Sequence, residues 1–182
     1  MKILLHSCCA PCANQCVEWL RREGSEPTLF WYNPNIHPFT EYDARRAALR
    51  RFAELSQTPL IEPGGYGLRA FLMETAADID GRCTVCYRMR MEQAARYAAE
   101  NGYDGFTSSL LISPYQKHEQ IAQIAADMGA RYGVPFVYHD FRPYFRAGQH
   151  AARDMGLYMQ KYCGCIFSEE ERYAHLRKAV SL

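Results

Sequence analysis

Two hydrophobic periods alternate along the chain. Short apolar runs at Ile3-Leu4-Leu5, Pro27 to Tyr32, Thr58 to Ile61, Asp104 to Leu110 and Val134 to Tyr138 read as strands. The run from Pro27 to Tyr32 reads as largely buried. Between them the spacing is helical. Ala13, Cys16, Val17 and Leu20 fall on one face of a helix that starts at Pro11 and ends near Glu23, closed by Gly24. A second helix is expected from Thr40 as cap, with Asp43 at the capping-box position. Ala48, Phe52 and Leu55 would face inward and Arg45, Arg46, Arg50 and Arg51 outward. A third opens at Cys83 and Cys86 and buries Tyr87, Met91, Ala94, Ala95 and Ala98, while Arg88, Glu92, Arg96 and Glu100 follow at i, i+4 steps on its wet side. Ser113, Pro114 and Gln116 read as cap, first position and box partner of a fourth helix, running through Ile121, Ile124, Ala125 and Met128. Ser168 with Glu171 caps a last one.

Strands alternating with helices at this spacing predict an α/β fold. The expectation is a single domain over residues 1–182, with a mainly parallel sheet flanked by helices, HUP or Rossmann-like, and a helical C-terminal part. A chain of 182 residues with 48% hydrophobic composition supports one core. The site should lie beyond the carboxyl ends of the strands. The loop from Pro63 to Gly67 is glycine-rich but lacks the spacing of a phosphate-binding loop.

Net charge is +1, which argues for neither nucleic acid nor membrane at the whole-chain level. The basic residues are lopsided, however: 17 Arg against 4 Lys, beside 13 Tyr. Arginine suits bidentate phosphate contacts and stacking, so a local RNA-binding surface stays open, with the segment Asp140 to Arg146 mixing both residue types. The N-terminal apolar run is too short for a signal peptide, and no run is long enough for a membrane span. The expected compartment is the cytoplasm, where thiols stay reduced, so eight cysteines point to metal or redox chemistry.

Seven of those cysteines form three groups: Cys8, Cys9 and Cys12; Cys83 and Cys86; Cys163 and Cys165. Cys16, on an apolar helix face, reads as core. The first two groups each sit where a helix begins, and a helix N-terminus favours ionised thiols. A soft thiolate set selects zinc or an iron–sulfur cluster. Cys9-x-x-Cys12 with Cys83-x-x-Cys86 would also make a structural zinc site in a non-catalytic RNA-binding module, and Cys9-Ala10-Pro11-Cys12 alone would suit a thiol–disulfide oxidoreductase. Cys163-Gly164-Cys165 differs. A disulfide across one residue closes a small, strained and labile ring, suited to passing two electrons. His6, beside the first cysteines, reads as a satisfied core histidine, and the other histidines show no metal-ligand spacing.

Five motifs in order carry a resemblance: Leu-His-Ser-Cys-Cys-Ala-Pro-Cys at 5–12, Tyr-Asn-Pro-Asn-Ile at 32–36, Arg-Cys-Thr-Val-Cys-Tyr at 82–87, Ile-Ser-Pro at 112–114 and Tyr-Cys-Gly-Cys-Ile-Phe-Ser at 162–168. Together they resemble the cobalamin-independent epoxyqueuosine reductases, the QueH family, over nearly the whole chain. The resemblance implies two-electron reduction of epoxyqueuosine to queuosine at the wobble position of tRNA, the last step of queuosine synthesis. It implies a [4Fe-4S] cluster on Cys8, Cys9, Cys83 and Cys86, and Cys163 with Cys165 as the redox-active pair. It leaves Cys12 open, including a second iron site beside the cluster. The implied partners are tRNA carrying epoxyqueuosine and an electron donor that the motifs do not identify. Arg45, Arg46, Arg142, Arg146, Tyr144 and Tyr158 are the expected tRNA surface.

Overall fold

The apolar residues Ile3, Leu4 and Leu5 are fully enclosed, which puts the first strand in the middle of the sheet. A computed structural model describes residues 1–177, so residues 178–182 of the expected domain lie outside the description. Strand β1 (Lys2–His6) leads through helix α1 (Ala10–Arg22) to β2 (Glu26–Phe30), and α2 (Phe39–Leu55) leads to the short β3 (Leu60–Ile61). Helices α3 (Leu68–Thr75) and α4 (Arg82–Glu100) carry the chain back to β4 (Gly105–Ser108). Helices α5 (His118–Tyr132), α6 (Phe145–Asp154) and α7 (Ile166–Arg177) follow. The sheet order is β3-β2-β1-β4, every pair parallel. In register, His6 lies beside Phe30 on one side and Ser108 on the other.

The chain therefore leaves β1 toward β2 and later crosses over to β4 on the opposite side. That reversal opens a crevice at the carboxyl ends of β1 and β4, the place where open α/β sheets bind ligands.

Several expectations need correction. The fifth strand at 134–138 shrinks to one parallel bridge, Phe106 to Phe136, because Pro135 has no N–H to extend the ladder. β4 stops at Ser108, whose Oγ accepts from the Leu110 amide at 3.2 Å and turns residues 109–112 into a 3-10 turn. α2 starts at Phe39, capped by the Pro38 carbonyl rather than Thr40. Its buried face holds Glu41, Arg45, Leu49 and Phe52, so Arg45 is inside and Leu55 is out. α5 begins at His118, five residues after the expected cap, and α7 begins at Ile166, before Ser168. α3 was not anticipated. Only Phe71 and Thr75 of its two turns are buried, too little to leave a periodic signal.

Candidate metal and redox site

The first cysteines occupy the crevice. After β1 the chain is pinned by the Ser7 amide donating to Phe30 O at 2.9 Å and the Asn33 side chain donating to Ser7 O at 3.0 Å. Cys9 is the N-cap of α1 and Pro11 fills its first turn, so Cys12 returns to the same side. The thiols of Cys8, Cys9 and Cys12 lie within 4.8 Å of one another, all buried. Cys8 also faces β4, its amide donating to Ser109 Oγ at 3.3 Å. From the far end of the chain Gln160 closes the group, its amide donating to Cys9 Sγ at 3.0 Å. The Gln160 Oε1 is buried with no partner among the described residues.

Charge is shared unevenly in this trio. Hydrogen bonds from Cys12 and Cys9 hold the Cys8 thiol well below its ordinary range, whereas burial raises Cys9 and the two neighbouring sulfurs raise Cys12. Within the trio, negative charge is favoured on Cys8 over Cys9 and Cys12. His6 is fully buried, its Nδ1 2.9 Å from Ser108 Oγ and its Nε2 3.3 Å from Tyr32 O. Desolvation lowers its pKa to about 4, so it is neutral near pH 7, the satisfied core histidine expected. Cys16 is likewise core, donating to Cys12 O at 3.3 Å.

Cys83 and Cys86 open α4 as expected, outside the compact trio. Cys86 shares a small buried cluster with Phe71 and Cys165, and burial pushes its thiol up to about 12. Opposing this is Arg90, 1% exposed, which donates to Cys86 Sγ at 3.0 Å and to Cys86 O at 3.1 Å. Among the described residues no carboxylate pairs with it. Its charge acts on Cys86, Cys8 and Cys163. A buried guanidinium needs hydrogen-bond acceptors, and here the Cys86 sulfur and carbonyl supply them. The donor set fits a thiolate-held group with net negative charge. Sequence reading missed Arg90, although an arginine one turn past Cys86, bordering an apolar face, was the available signal.

Cys163 and Cys165 are separated by environment. Cys163 opens onto a cavity of about 780 Å³ that Cys8 and Cys12 also line, while Cys165 is buried. Gln116 donates to Cys163 Sγ at 3.1 Å, and Tyr87 fixes that amide by donating to its Oε1 at 2.7 Å. Loss of solvent raises the Cys163 thiol, against Gln116 and the arginines. The backbone of the pair is clamped. Arg45 donates to Cys163 O at 2.9 Å and Tyr162 O at 2.8 Å, with Glu41 2.6 Å from its Nε. The His37 amide donates to Gly164 O at 2.7 Å and its Nδ1 accepts from the Ile166 amide at 3.3 Å. Gly164 has φ +143°, and an added Cβ there would meet Arg45 and Ile36 at 3.3 Å.

The expected RNA surface is dispersed. Arg45 is buried, not on the wet face of α2. Arg46 is held by Glu62 at 2.6 Å and Arg142 by Asp140 at 2.7 Å. Tyr144 stacks on His139 with centroids 6.1 Å apart, and Tyr158 donates to Glu41 beside Arg45. Only Arg146 of the six lines the cavity from an exposed position.

A sequence profile described as Epoxyqueuosine reductase QueH matches residues 3–171. The chain belongs to the epoxyqueuosine reductase QueH family. A QueH relative from Dehalococcoides mccartyi is 40% identical over 172 residues, covering 94% of each chain. One from Acinetobacter baylyi is 40% identical over 177 residues, covering 92% of this chain and 80% of its own. One from Thermotoga maritima is 31% identical over 180 residues, covering 93% and 91%. Among solved structures, a protein of Methanocaldococcus jannaschii described as a predicted subunit of tRNA methyltransferase superposes with a TM-score of 0.58 at 11% identity. It covers 98% of this chain and 87% of its own, and at that identity it speaks for the α/β fold alone. Among the described residues no helix is long and apolar enough to cross a membrane.

Proposed function

We propose that this QueH chain reduces epoxyqueuosine in tRNA to queuosine, with Cys163 and Cys165 as the redox pair and a [4Fe-4S] cluster held by Cys8, Cys9, Cys83 and Cys86. Cys12 stands beside it. The observation that carries the reading is one cavity walled by Cys8, Cys12 and Cys163, three sulfurs contributed by opposite ends of the chain. Removing the epoxide oxygen as water consumes two electrons and two protons. Two thiols closing to a disulfide release those amounts, so oxidation of Cys163 and Cys165 balances one turnover. An external donor must then return the pair to thiols.

The chain's own groups have distinct parts in this scheme. Gln116 fixes the direction of the Cys163 sulfur into the cavity. Arg45 and His37 hold the backbone on either side of Gly164, so the pair can change its bonding without the loop drifting. Arg90 supplies the positive charge that offsets thiolate in the floor. When bound, the cluster supplies a low-potential electron store and an iron Lewis acid for the departing oxygen.

A second reading has its own observation: three thiols within 4.8 Å of one another suit a single four-coordinate ion. That is a zinc-held RNA-binding module. Metal and sulfide analysis of protein prepared without oxygen, with EPR, separates the two. We expect about four irons and four sulfides per chain, lost in Cys83→Ser and Cys86→Ser, and tRNA epoxide reduction lost in Cys163→Ser and Cys165→Ser. One tightly held zinc, with no turnover after reconstitution, would overturn the reductase.

A further inference from the structure

Helix α6 has two unlike faces. Gly148 and Ala152 are buried against α1, and the Asn14 side chain donates to Gly148 O at 2.8 Å. An added Cβ at Gly148 would lie 2.7 Å from Pro11 O, so the helix backbone is pressed onto the turn that carries Cys12. On its other side Arg146, Gln149, His150 and Arg153 recur at i, i+3, i+4 and i+7, and all four line the cavity that holds Cys163. Lys161 and Arg172 complete the same rim.

The charge of this rim is not neutralised. Among the described residues no aspartate or glutamate lines the cavity. Among the described residues, the side chains of Arg146, Arg153, Lys161 and Arg172 take part in no ion pair. Elsewhere among them Arg46, Arg50, Arg51, Arg82, Arg88, Arg131 and Arg142 each sit against a carboxylate, while Arg21, Arg22, Arg69, Arg90 and Arg96 make no ion pair but are scattered rather than gathered on one cavity. Beside the start of α6, Tyr115 is 86% exposed, its ring edge-on to Phe145 with centroids 5.8 Å apart. A ring with an open face suits stacking on an unpaired base.

We infer that the outer face of α6, with Lys161 and Arg172, is a phosphate-binding rim that grips the RNA backbone on either side of a nucleotide inserted toward Cys163, and that Tyr115 stacks on a neighbouring base. The inference rests on the reductase reading for what enters the cavity, but not for the RNA binding itself. Unpaired guanidinium groups on a concave wall favour a flexible polyanion that can enter it over the convex surface of an acidic protein. The rim contacts backbone, so binding outside the inserted nucleotide is insensitive to sequence.

The test is anisotropy of a labelled, unmodified anticodon stem-loop RNA with the full chain across a salt series. Arg153→Gln and Arg172→Gln are each expected to weaken binding. Each should also lower the slope of log affinity against log salt by about 0.7, the value for one single-strand phosphate contact. Arg153→Lys should keep the slope, and Tyr115→Ala should weaken binding with the slope unchanged. Arg131→Gln removes an ion-paired arginine on α5 and should change nothing. Equal slopes in wild type and rim variants, or an equal loss in Arg131→Gln, would overturn the inference. So would rim variants that bind RNA normally but are re-reduced slowly by an acidic electron-donor protein, which would make the rim a protein dock. If the slopes change as expected yet reconstituted wild-type protein reduces no epoxyqueuosine on tRNA, the reductase reading fails and the RNA rim stands.

Discussion

Arg90 donates both of its hydrogen bonds to Cys86, and its charge reaches Cys8 and Cys163 as well. It lowers the thiols around it, so its removal raises them. Arg90→Met should therefore cut the thiolate absorbance of the metal-free chain at neutral pH and reduce the iron held after reconstitution. The chain should still fold, because an apolar side chain of similar length replaces a buried charge, and its partner Cys86, pushed up to about 12, is already a neutral thiol. Unchanged iron content would remove the charge-balancing role. Asp140 is a simpler case at the same scale. The Arg142 side chain bonded to it holds its pKa down to about 2, from 3.8. A lowered carboxyl stabilises the fold above its ordinary pKa and loses that contribution as pH falls through about 2. In Arg142→Gln, carboxyl chemical shifts followed by NMR should show Asp140 titrating back near the ordinary value, with little change in stability at pH 7, as expected of an exposed pair.

At the level of elements, the α1–α6 pairing determines where the redox loop can sit, since α6 leads directly into the segment that carries Gln160 and Cys163. The approach is close because residue 148 has no side chain. Gly148→Ala places a carbon 2.7 Å from a backbone oxygen that has no room to yield. A cost of about 1–3 kcal/mol in urea unfolding is expected, with weaker metal retention because Gln160 and Cys12 are pushed apart. An unchanged midpoint would mean that α6 floats over α1. The start of α5 shows the same trade between local rule and site. Ser113-Pro114-Tyr115-Gln116 has the letters of a helix cap, but Ser113 Oγ accepts from the Tyr115 amide at 3.3 Å in a turn, and Gln116 is spent on Cys163. The capping box would have returned that glutamine to the backbone.

Across the whole molecule, the parallel sheet and the crevice that gathers Cys8, Cys9 and Cys12 were readable, because strand and helix periods and the Cys8-Cys9-Ala10-Pro11-Cys12 turn are local signals. The three cysteine groups were readable for the same reason. What escaped were the residues that serve those cysteines from far along the chain. His37, Arg45, Gln116 and Gln160 look like ordinary loop or surface residues until the fold brings residue 45 to residue 163 and residue 160 to residue 9. Arg45 in particular passes for a solvated arginine because its i, i+4 partner Glu41 is common on exposed helices, yet here that pair is what lets the guanidinium enter the core. The fifth strand failed for a different reason, a single proline in an otherwise suitable run.

The cavity wall that joins the two ends of the chain also has a history in time. Synthesis delivers Cys8, Cys9 and Cys12 well before the segment bearing Gln160 and Cys163. Until that segment emerges the three thiols have no cover from that side, so the route by which a thiophilic ion or an oxidant reaches them is widest before residues 160 to 163 are made and narrows once they dock.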